Sequence, residues 1–211
     1  MFHERRTLPI ADCRLAMAIG MALVPRGKAN RQLAIGTGKI CNTPQSQIRV
    51  LIMNGRLFQL NSSPGGVPKL PIREAMVVES GLVGDGHNFP DIHGGPDRAL
   101  CLFSLERILE LQSEGHPIFP GAVGENVTVS GIDWTAIEPG KQVALGDEVV
   151  IEITRYTSPC NSITDSFYDG NFARISQKVH PGYSRVYARV LKSGRLKIGQ
   201  EVLLLNGSAS S

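Results

Sequence analysis

Cys160 is the residue whose neighbours most favour chemistry. Pro159 ends the strand predicted before it and leaves the thiol at the exit from that strand, among polar side chains. Arg155 lies upstream and could favour the thiolate form. A thiolate in this position can act as a nucleophile, carry a persulfide sulfur or ligate a soft metal. An inert, half-buried cysteine is the alternative.

The remaining cysteines do not indicate a disulfide framework. The chain has four cysteines, Cys13, Cys41, Cys101 and Cys160, which are widely spaced and form no CxxC pair. Disulfide frameworks occur in small secreted domains with dense cysteines, so we expect free thiols in a reducing cytosol. Cys101 lies in an apolar run, where a free cysteine behaves as a small hydrophobe, and we expect it to be buried in a strand.

Residues 87–98 form a second group of polar side chains with possible chemistry. This segment holds two histidines, two aspartates and one arginine, and it precedes an apolar strand. Imidazole and carboxylate together suit zinc or non-haem iron. Alternatively, Asp97 and Arg98 pair with each other or cap nearby backbone. We expect His93, Asp97 and Arg98 to shape a pocket rather than to chelate a metal between them.

Two glycine-containing segments complete the candidate site. Residues 81–86 contain three glycines but fit neither of the common phosphate-binding patterns, which favours a tight turn between strands. Asn126 follows a glycine-rich segment at the predicted start of a strand. It either faces a ligand or closes the end of the sheet by hydrogen bonds.

The elements that must position these residues are mostly short strands. Alternating or continuous apolar runs predict strands at 55–61, 73–79, 99–103, 123–130, 183–191 and 196–205, and a hairpin-like pair at 139–147 and 148–154. Residues 104–114 give the one clear helix, capped by Ser104 and with Leu105, Ile108, Leu109 and Leu111 on an apolar side. Residues 165–178 hold a few short helical turns. Many short strands separated by turn signals predict a mainly β (α+β) fold, a closed β-barrel.

The charge divides the chain near residue 53. Residues 1–52 hold eight basic and two acidic side chains, which leaves 14 basic and 17 acidic ones in the remainder. We therefore expect a mildly acidic domain over 53–205 with no electrostatic reason to bind nucleic acid. Residues 1–52 are expected to be an extension, either disordered, a targeting segment or a mistaken start, and 206–211 a frayed tail. The ten-residue apolar run at 15–24 is too short to span a membrane.

Five of these segments occur together in one known family. In order along the chain they are 65–69 (GGVPK), 81–85 (GLVGD), 93–98 (HGGPDR), 120–126 (PGAVGEN) and 158–160 (SPC). Read together, they resemble the MOSC family, the C-terminal domain of molybdenum-cofactor sulfurases, in a stand-alone bacterial form.

The resemblance implies a β-barrel and a functional cysteine, which is Cys160 here. Family members are thought to carry sulfur or to bind the molybdenum cofactor, with the cysteine as sulfur carrier or metal ligand. For this chain the resemblance implies cofactor binding by Lys69, His93, Asp97, Arg98, Asn126 and Arg155, with Cys160 both catalytic and the metal ligand.

Two functions follow as hypotheses. The first is a cytoplasmic, molybdenum-cofactor-dependent oxidoreductase that reduces small N-hydroxylated compounds. The second is a metal-free sulfur carrier that holds a persulfide on Cys160 for a partner protein. The sequence contains neither the pyridoxal-phosphate domain of the larger sulfurases nor the ferredoxin domain of a bacterial subgroup. We therefore expect a separate electron donor or a sulfur-donating protein as partner, and no nucleic acid or membrane span.

Overall fold

The computed structural model describes residues 54–86 and 95–205. The predicted N-terminal extension, the C-terminal tail and most of the histidine-rich segment, including His93, lie outside the described residues. The domain bounds of 53–205 stay a prediction.

The described chain contains eleven strands and one α-helix. The strands are β1 Gly55–Ser62, β2 Leu70–Ile72, β3 Glu74–Val78, β4 Gly81–Leu82, β5 Leu100–Ser104, β6 Val127–Ser130, β7 Gln142–Leu145, β8 Val149–Tyr156, β9 Val186–Lys192, β10 Gly194–Lys197 and β11 Glu201–Leu205. The helix α1 spans Leu105–Ser113, and five short 3-10 turns span Pro96–Arg98, Trp134–Ala136, Asn161–Ser166, Tyr168–Gly170 and Phe172–Ile175. The predicted strands are all present in part, whereas the short β2 and β4 fell in segments that the sequence assigned to loops.

Seven strands close into a barrel in the order β11-β7-β8-β9-β5-β6-β1, because β1 also pairs with β11. Six of the seven neighbouring pairs are antiparallel, and β5 and β6 are parallel. β2 extends the sheet beside β1, and β10, β3 and β4 form a separate three-stranded sheet. The predicted closed barrel with one clear helix is confirmed.

The interior of the barrel is filled by alternate residues of each strand. On β8 the fully buried positions are Val149, Ile151 and Ile153, with less buried residues between them. This period of two is the signature of a strand with one face on a core. Apolar strands of this kind need no polar partner inside the barrel, so its chemistry must lie outside the barrel wall or at its ends.

Register assigns Cys101 to the outer face of the barrel wall. Leu100 and Leu102 of β5 lie opposite Ala188 and Val186 of β9, and all four are members of the buried apolar core. Cys101, between the two leucines, therefore faces the other way, together with its cross-strand partner on β9. Side chains of both β5 and β9 can therefore line a cavity on the outer side of the barrel wall.

Helix α1 begins as predicted. The Ser104 hydroxyl accepts a hydrogen bond from the backbone N–H of Arg107 at 3.3 Å, which is the N-cap arrangement. Ile108 and Leu111 are buried, but Leu109 is 52% exposed, so its expected place on the apolar side is wrong. Each residue advances a helix by about 100°, so Leu109 lies about 100° around the helix axis from Ile108. This position falls outside the stripe of α1 that packs on the core. Among the described helices, none is long and apolar enough to cross a membrane.

Two neighbouring residues on β1 test the assignment of inner and outer faces to the barrel strands. Leu57 is fully buried and Phe58 is 47% exposed. Leu57→Ala removes buried methyl groups and should lower the free energy of unfolding by about 2–5 kcal/mol. Phe58→Ala removes a larger side chain from the outer face and should cost less than about 1 kcal/mol. Urea denaturation of both variants measures the difference, and a greater loss for Phe58→Ala would contradict the assigned register.

Candidate functional site

A cavity of about 310 Å³ lies between the outer face of the barrel wall and the loops packed over it. The wall contributes Cys101 of β5 and Tyr187 of β9. The remaining lining residues come from loops and strand ends: Gly66, Val67, Lys69, Gly86, Arg98, Val123, Gly124, Asn126, Cys160, Ser162, Ile163 and Arg185. Four of the five sequence segments that carry the resemblance contribute residues to the cavity lining. The fifth, 81–85, does not, but Gly86 directly after it does.

Cys160 reaches this cavity from the segment that follows β8. One further ladder bond, from the Thr157 N–H to the Arg185 carbonyl at 2.9 Å, extends the pairing beyond the end of the strand. Cys160 then stands at the head of the Asn161–Ser166 turn, where its carbonyl accepts a hydrogen bond from the Ile163 N–H at 3.2 Å. Its thiol is free and half-buried. The predicted position at the exit of a strand is confirmed.

Cys101 is buried in β5, as predicted, but it lines the same cavity as Cys160. Burial raises the pKa of the Cys101 thiol to about 11, although the neighbouring Arg185 guanidinium acts in the opposite direction. Cys101 is therefore a protonated thiol at neutral pH. Its place in the site was not predicted, because two cysteines 59 positions apart carry no sign of convergence until the strand register is known.

Two arginines bring positive charge to the cavity. Arg98 ends the short turn Pro96–Arg98 and is half-buried. Arg185 is only 6% exposed, and its Nη1 donates to the carbonyl of Val123. Its Nε has no hydrogen-bond partner among the described residues. An arginine held at this depth with an unused donor is suited to an anionic group in the cavity.

Arg185 was missed by the sequence reasoning, although a signal was present. It precedes β9 by one position, and Val186 and Ala188 are the core residues of that strand. Alternation therefore puts Arg185 and Tyr187 on one face. Burial raises the pKa of Tyr187 to about 12, so its hydroxyl keeps its proton at neutral pH.

Lys69 lines the cavity, but its charge is balanced within the protein. Its Nζ lies 2.5 and 2.6 Å from the two carboxylate oxygens of Asp85, and both side chains are almost fully buried. The same carboxylate accepts hydrogen bonds from the Ser63 N–H at 3.0 Å and from the Asn126 side-chain amide at 2.8 Å. A buried pair of this kind contributes little net positive charge to a ligand.

Asn126 makes structural hydrogen bonds and also lines the cavity, and its role towards a ligand stays a prediction. Its Oδ1 accepts a hydrogen bond from the backbone N–H of Cys101 at 3.1 Å, and its Nδ2 donates to Asp85. Asn126 thus ties β5 to the loop after β4 while it also lines the cavity.

Glu125, beside Asn126, stabilises the segment 121–126 by hydrogen bonds. Its Oε1 accepts from the Gly121 N–H at 2.6 Å and from the Thr128 hydroxyl at 3.1 Å. The side chain is fully buried, and burial raises the pKa of its carboxyl above the ordinary value. Its contacts hold the 121–126 segment against β6, so this residue supports the cavity without lining it.

Three predicted site residues are placed elsewhere or lie outside the description. Asp97 is exposed; its carboxylate lies 3.4 Å from the Nε of Arg189, and its carbonyl accepts from the Thr154 hydroxyl. Arg155 is exposed on β8 and is not among the described residues that line the cavity. His93 lies outside the described residues. Their roles in binding a cofactor stay predictions.

The cavity is rich in sulfur and poor in the other metal ligands. Within 54–86 and 95–205, no three histidine, cysteine or acidic side chains cluster in a way that could hold a metal ion by themselves. A metal in this cavity would therefore need ligands of its own in addition to a protein thiolate.

The comparison with protein-family models decides the family. The model of the MOSC domain matches residues 90–203, more than half of the chain. This chain belongs to the MOSC domain family. The match includes Arg98, Cys101, Cys160 and Arg185, so the central residues of the cavity lie within the family's domain.

Curated relatives of this MOSC protein include two bacterial proteins and a fungal one. YflK of Bacillus subtilis is 31% identical over 143 residues, which are 67% of this chain and 63% of YflK. YiiM of Escherichia coli is 30% identical over 119 residues, 54% of this chain and 53% of YiiM. A protein named reductase from Gibberella moniliformis is 27% identical over 131 residues, 60% of this chain and 23% of that protein. The chain spans less than two thirds of the length of each.

A solved structure shares the fold. The crystal structure of YiiM from Geobacillus stearothermophilus superposes with a TM-score of 0.57 at 20% sequence identity, over 74% of this chain and 77% of that one. At this identity the likeness concerns the barrel alone.

The two thiols of the cavity should differ in reactivity. At neutral pH, iodoacetamide should modify Cys160 first, because Cys101 is 4% exposed and holds its proton. The rate at Cys101 should rise as the pH approaches about 11, where its thiolate becomes populated. Peptide mass mapping after timed alkylation measures both rates, with urea-unfolded protein as the control in which the difference disappears. Equal rates in the folded protein at neutral pH would contradict the assigned environments.

Proposed function

We propose that this MOSC protein binds a molybdenum cofactor in the cavity and reduces small N-hydroxylated compounds, with Cys160 as the protein ligand of the metal. The observation that carries the proposal is that a single cavity joins a half-exposed thiol to two cationic side chains, Arg98 and Arg185. The cofactor combines a soft-metal centre with an anionic phosphate, and it needs both kinds of partner.

The residues present fit such a group. Its phosphate requires cationic donors or backbone N–H groups, and the unused Nε of Arg185 is a donor of the kind required. Arg98 brings a second guanidinium to the same cavity. The metal, already held by the sulfurs of the pterin, requires a soft ligand, and Cys160 supplies it. The volume of about 310 Å³ lies within the usual range of roughly 300–1,000 Å³ for small-molecule sites.

The chain's own residues would then divide the work of the reaction. When bound, molybdenum supplies the two-electron chemistry that removes the oxygen of an N–OH group. Cys160 would be the protein ligand of the metal and, as a half-buried residue, would remain accessible to a small substrate. Tyr187 lines the same cavity and keeps its proton at neutral pH, so it would serve as a hydrogen-bond donor to a substrate. Arg98 and Arg185 orient the anionic end of the cofactor.

The fungal relative named a reductase supports this reaction class. The electron donor of this chain is proposed to be a separate protein. We propose a cytoplasmic location, in keeping with free thiols at the site.

A sulfur carrier is the second candidate, favoured by the exposure of Cys160. A persulfide on this half-exposed residue could be reached by a partner protein, and the transfer would need no metal. The two candidates differ in whether molybdenum copurifies with the protein.

Replacement of Cys160 tests the metal ligand. Cys160→Ser keeps the size of the side chain but replaces a soft sulfur by a hard, far less acidic hydroxyl. After expression in a host that makes the cofactor, wild type should retain molybdenum at close to one atom per chain, and Cys160→Ser should lose most of it while its thermal stability is kept. Elemental analysis by mass spectrometry measures the metal.

Cys101→Ser is the matched control, because it alters the other thiol of the same cavity and should retain molybdenum. Retention of full metal and reductase activity by Cys160→Ser would contradict both candidate functions. Wild type that holds no molybdenum but a stable persulfide on Cys160 would favour the sulfur carrier.

Substitution of two arginines tests which of them binds the anionic end of the cofactor. Arg98→Ala should weaken cofactor retention by about tenfold, since a charge-assisted hydrogen bond contributes roughly 1.5–3 kcal/mol. Arg155→Ala removes the same charge from an exposed position on β8 outside the cavity lining and should leave retention unchanged. Dialysis followed by measurement of pterin fluorescence compares the two. A larger loss for Arg155→Ala would restore the sequence-based role of Arg155.

A further inference from the structure

Two thiols enter one cavity from independent parts of the fold. Cys101 comes from the outer face of β5, and Cys160 heads the Asn161–Ser166 turn. Both are free, and they are the cysteines of the described part of the chain. Tyr187 is the cross-strand partner of Cys101 and lines the cavity with both cysteines. The metal-ligand role proposed above uses Cys160 alone and leaves Cys101 without a function.

The two cysteines have complementary environments. Cys160 is half-buried, so a small oxidant from solvent can reach it. Cys101 is 4% exposed and lies next to Arg185. Burial raises the pKa of Cys101 to about 11, which protects it from direct oxidation. The arrangement of an accessible cysteine beside a sheltered one is that of an attacked thiol and a resolving thiol.

We propose that Cys101 is the resolving thiol of Cys160 and that the two form a reversible disulfide in the cofactor-free protein. In the first step the Cys160 thiolate attacks a peroxide; an S–O bond forms, the O–O bond breaks, and Cys160 becomes a sulfenic acid while the peroxide is reduced to an alcohol or water. In the second step the sulfur of Cys101 attacks the sulfenic sulfur; an S–S bond forms, and water leaves with the Cys101 proton. A thiol reductant returns both cysteines by supplying two electrons and two protons.

Local structure favours the second step. A disulfide requires a Cα separation of roughly 4–7 Å. Cys160 precedes a short turn rather than lying in a strand, and its side chain makes no capping hydrogen bond there. Its backbone therefore is less constrained than that of Cys101, whose N–H and carbonyl are both bonded to Asn126 within β5. Arg185, beside Cys101, stabilises the Cys101 thiolate that attacks the sulfenic sulfur.

The disulfide would control the site. It consumes the sulfur that a metal or a transferable sulfur atom needs, so the oxidised protein accepts neither. It also stops the oxidation of Cys160 before the irreversible sulfinic stage. This inference goes beyond the proposed function and holds whichever of the two candidate functions is correct.

The test uses the full chain with Cys13→Ser and Cys41→Ser, so that the two cysteines outside the described residues do not react. The protein is made in a host that lacks the cofactor and is treated with hydrogen peroxide at low excess. Intact mass should fall by two hydrogen atoms, and non-reducing peptide mapping should find the peptides of Cys101 and Cys160 joined. Dithiothreitol should reverse the change. These readouts need no metal and no activity, so they are independent of the proposed function.

Two variants make the outcome decisive. In Cys101→Ser the sulfenic acid of Cys160 should persist, with about tenfold more dimedone adduct than in the parent and subsequent conversion to the sulfinic acid. Cys101→Ala gives the same comparison if the serine hydroxyl is not tolerated in the wall. Cys160→Ser should show no mass change under the same treatment.

The inference is overturned if the parent protein accumulates the sulfinic acid of Cys160 as fast as Cys101→Ser does. It is equally overturned if the disulfide found joins Cys160 of two chains.

Discussion

The carboxylate of Asp85 is the contact on which the described site depends. Its two oxygens hold the ammonium group of Lys69, the backbone N–H of Ser63 and the side-chain amide of Asn126. Ser63 lies in the loop after β1, Lys69 lies directly before β2, and Asn126 lies directly before β6. A buried charge without partners is costly, so the three segments must stay together once Asp85 is buried. Asn126 extends the network to the N–H of Cys101, which links the loops to the barrel wall.

This arrangement sets the electrostatic character of the cavity. Lys69 is paired with Asp85, and burial raises the pKa of the fully buried Glu125 carboxyl. Arg98 and Arg185 bring two further guanidinium groups to the cavity, although the chain beyond residue 52 has more acidic than basic side chains.

The sequence predicted the closed barrel and the position of Cys160, because both rest on local patterns. Strands with one buried face show a period of two, and a proline after such a run marks the strand end. Four of the five segments that resemble the family also contribute residues to the cavity. These features require no knowledge of which strands are neighbours.

The parts that could not be predicted depend on long-range pairing. The convergence of Cys101 with Cys160 follows from the registers of β5 with β9 and of β9 with β8. Lys69 was read as a ligand for an anion, because a cation in a motif gives no sign that its partner is an aspartate 16 positions further along. Arg185 lies 25 positions from Cys160 and carries no local sign of a shared site, whereas the pairing of β8 with β9 brings it to the cavity. Proximity along the chain and proximity in space diverge most in a fold of this kind.

The pairing of β1 with β11 carries a consequence for how the chain acquires its structure during synthesis. Gly55 of the first strand lies opposite Val202 of the last, so the ring of strands cannot close until nearly the whole domain has left the ribosome. Until then β1 and β7 each present an unpaired edge, and such edges are templates for wrong associations. Contacts of this sequence separation also slow folding, because the entropy of closing a long loop is lost before the contact stabilises anything. During synthesis the apolar interior of the barrel therefore stays exposed to the surroundings. The exposure ends only when the short strand β11 pairs with its neighbours.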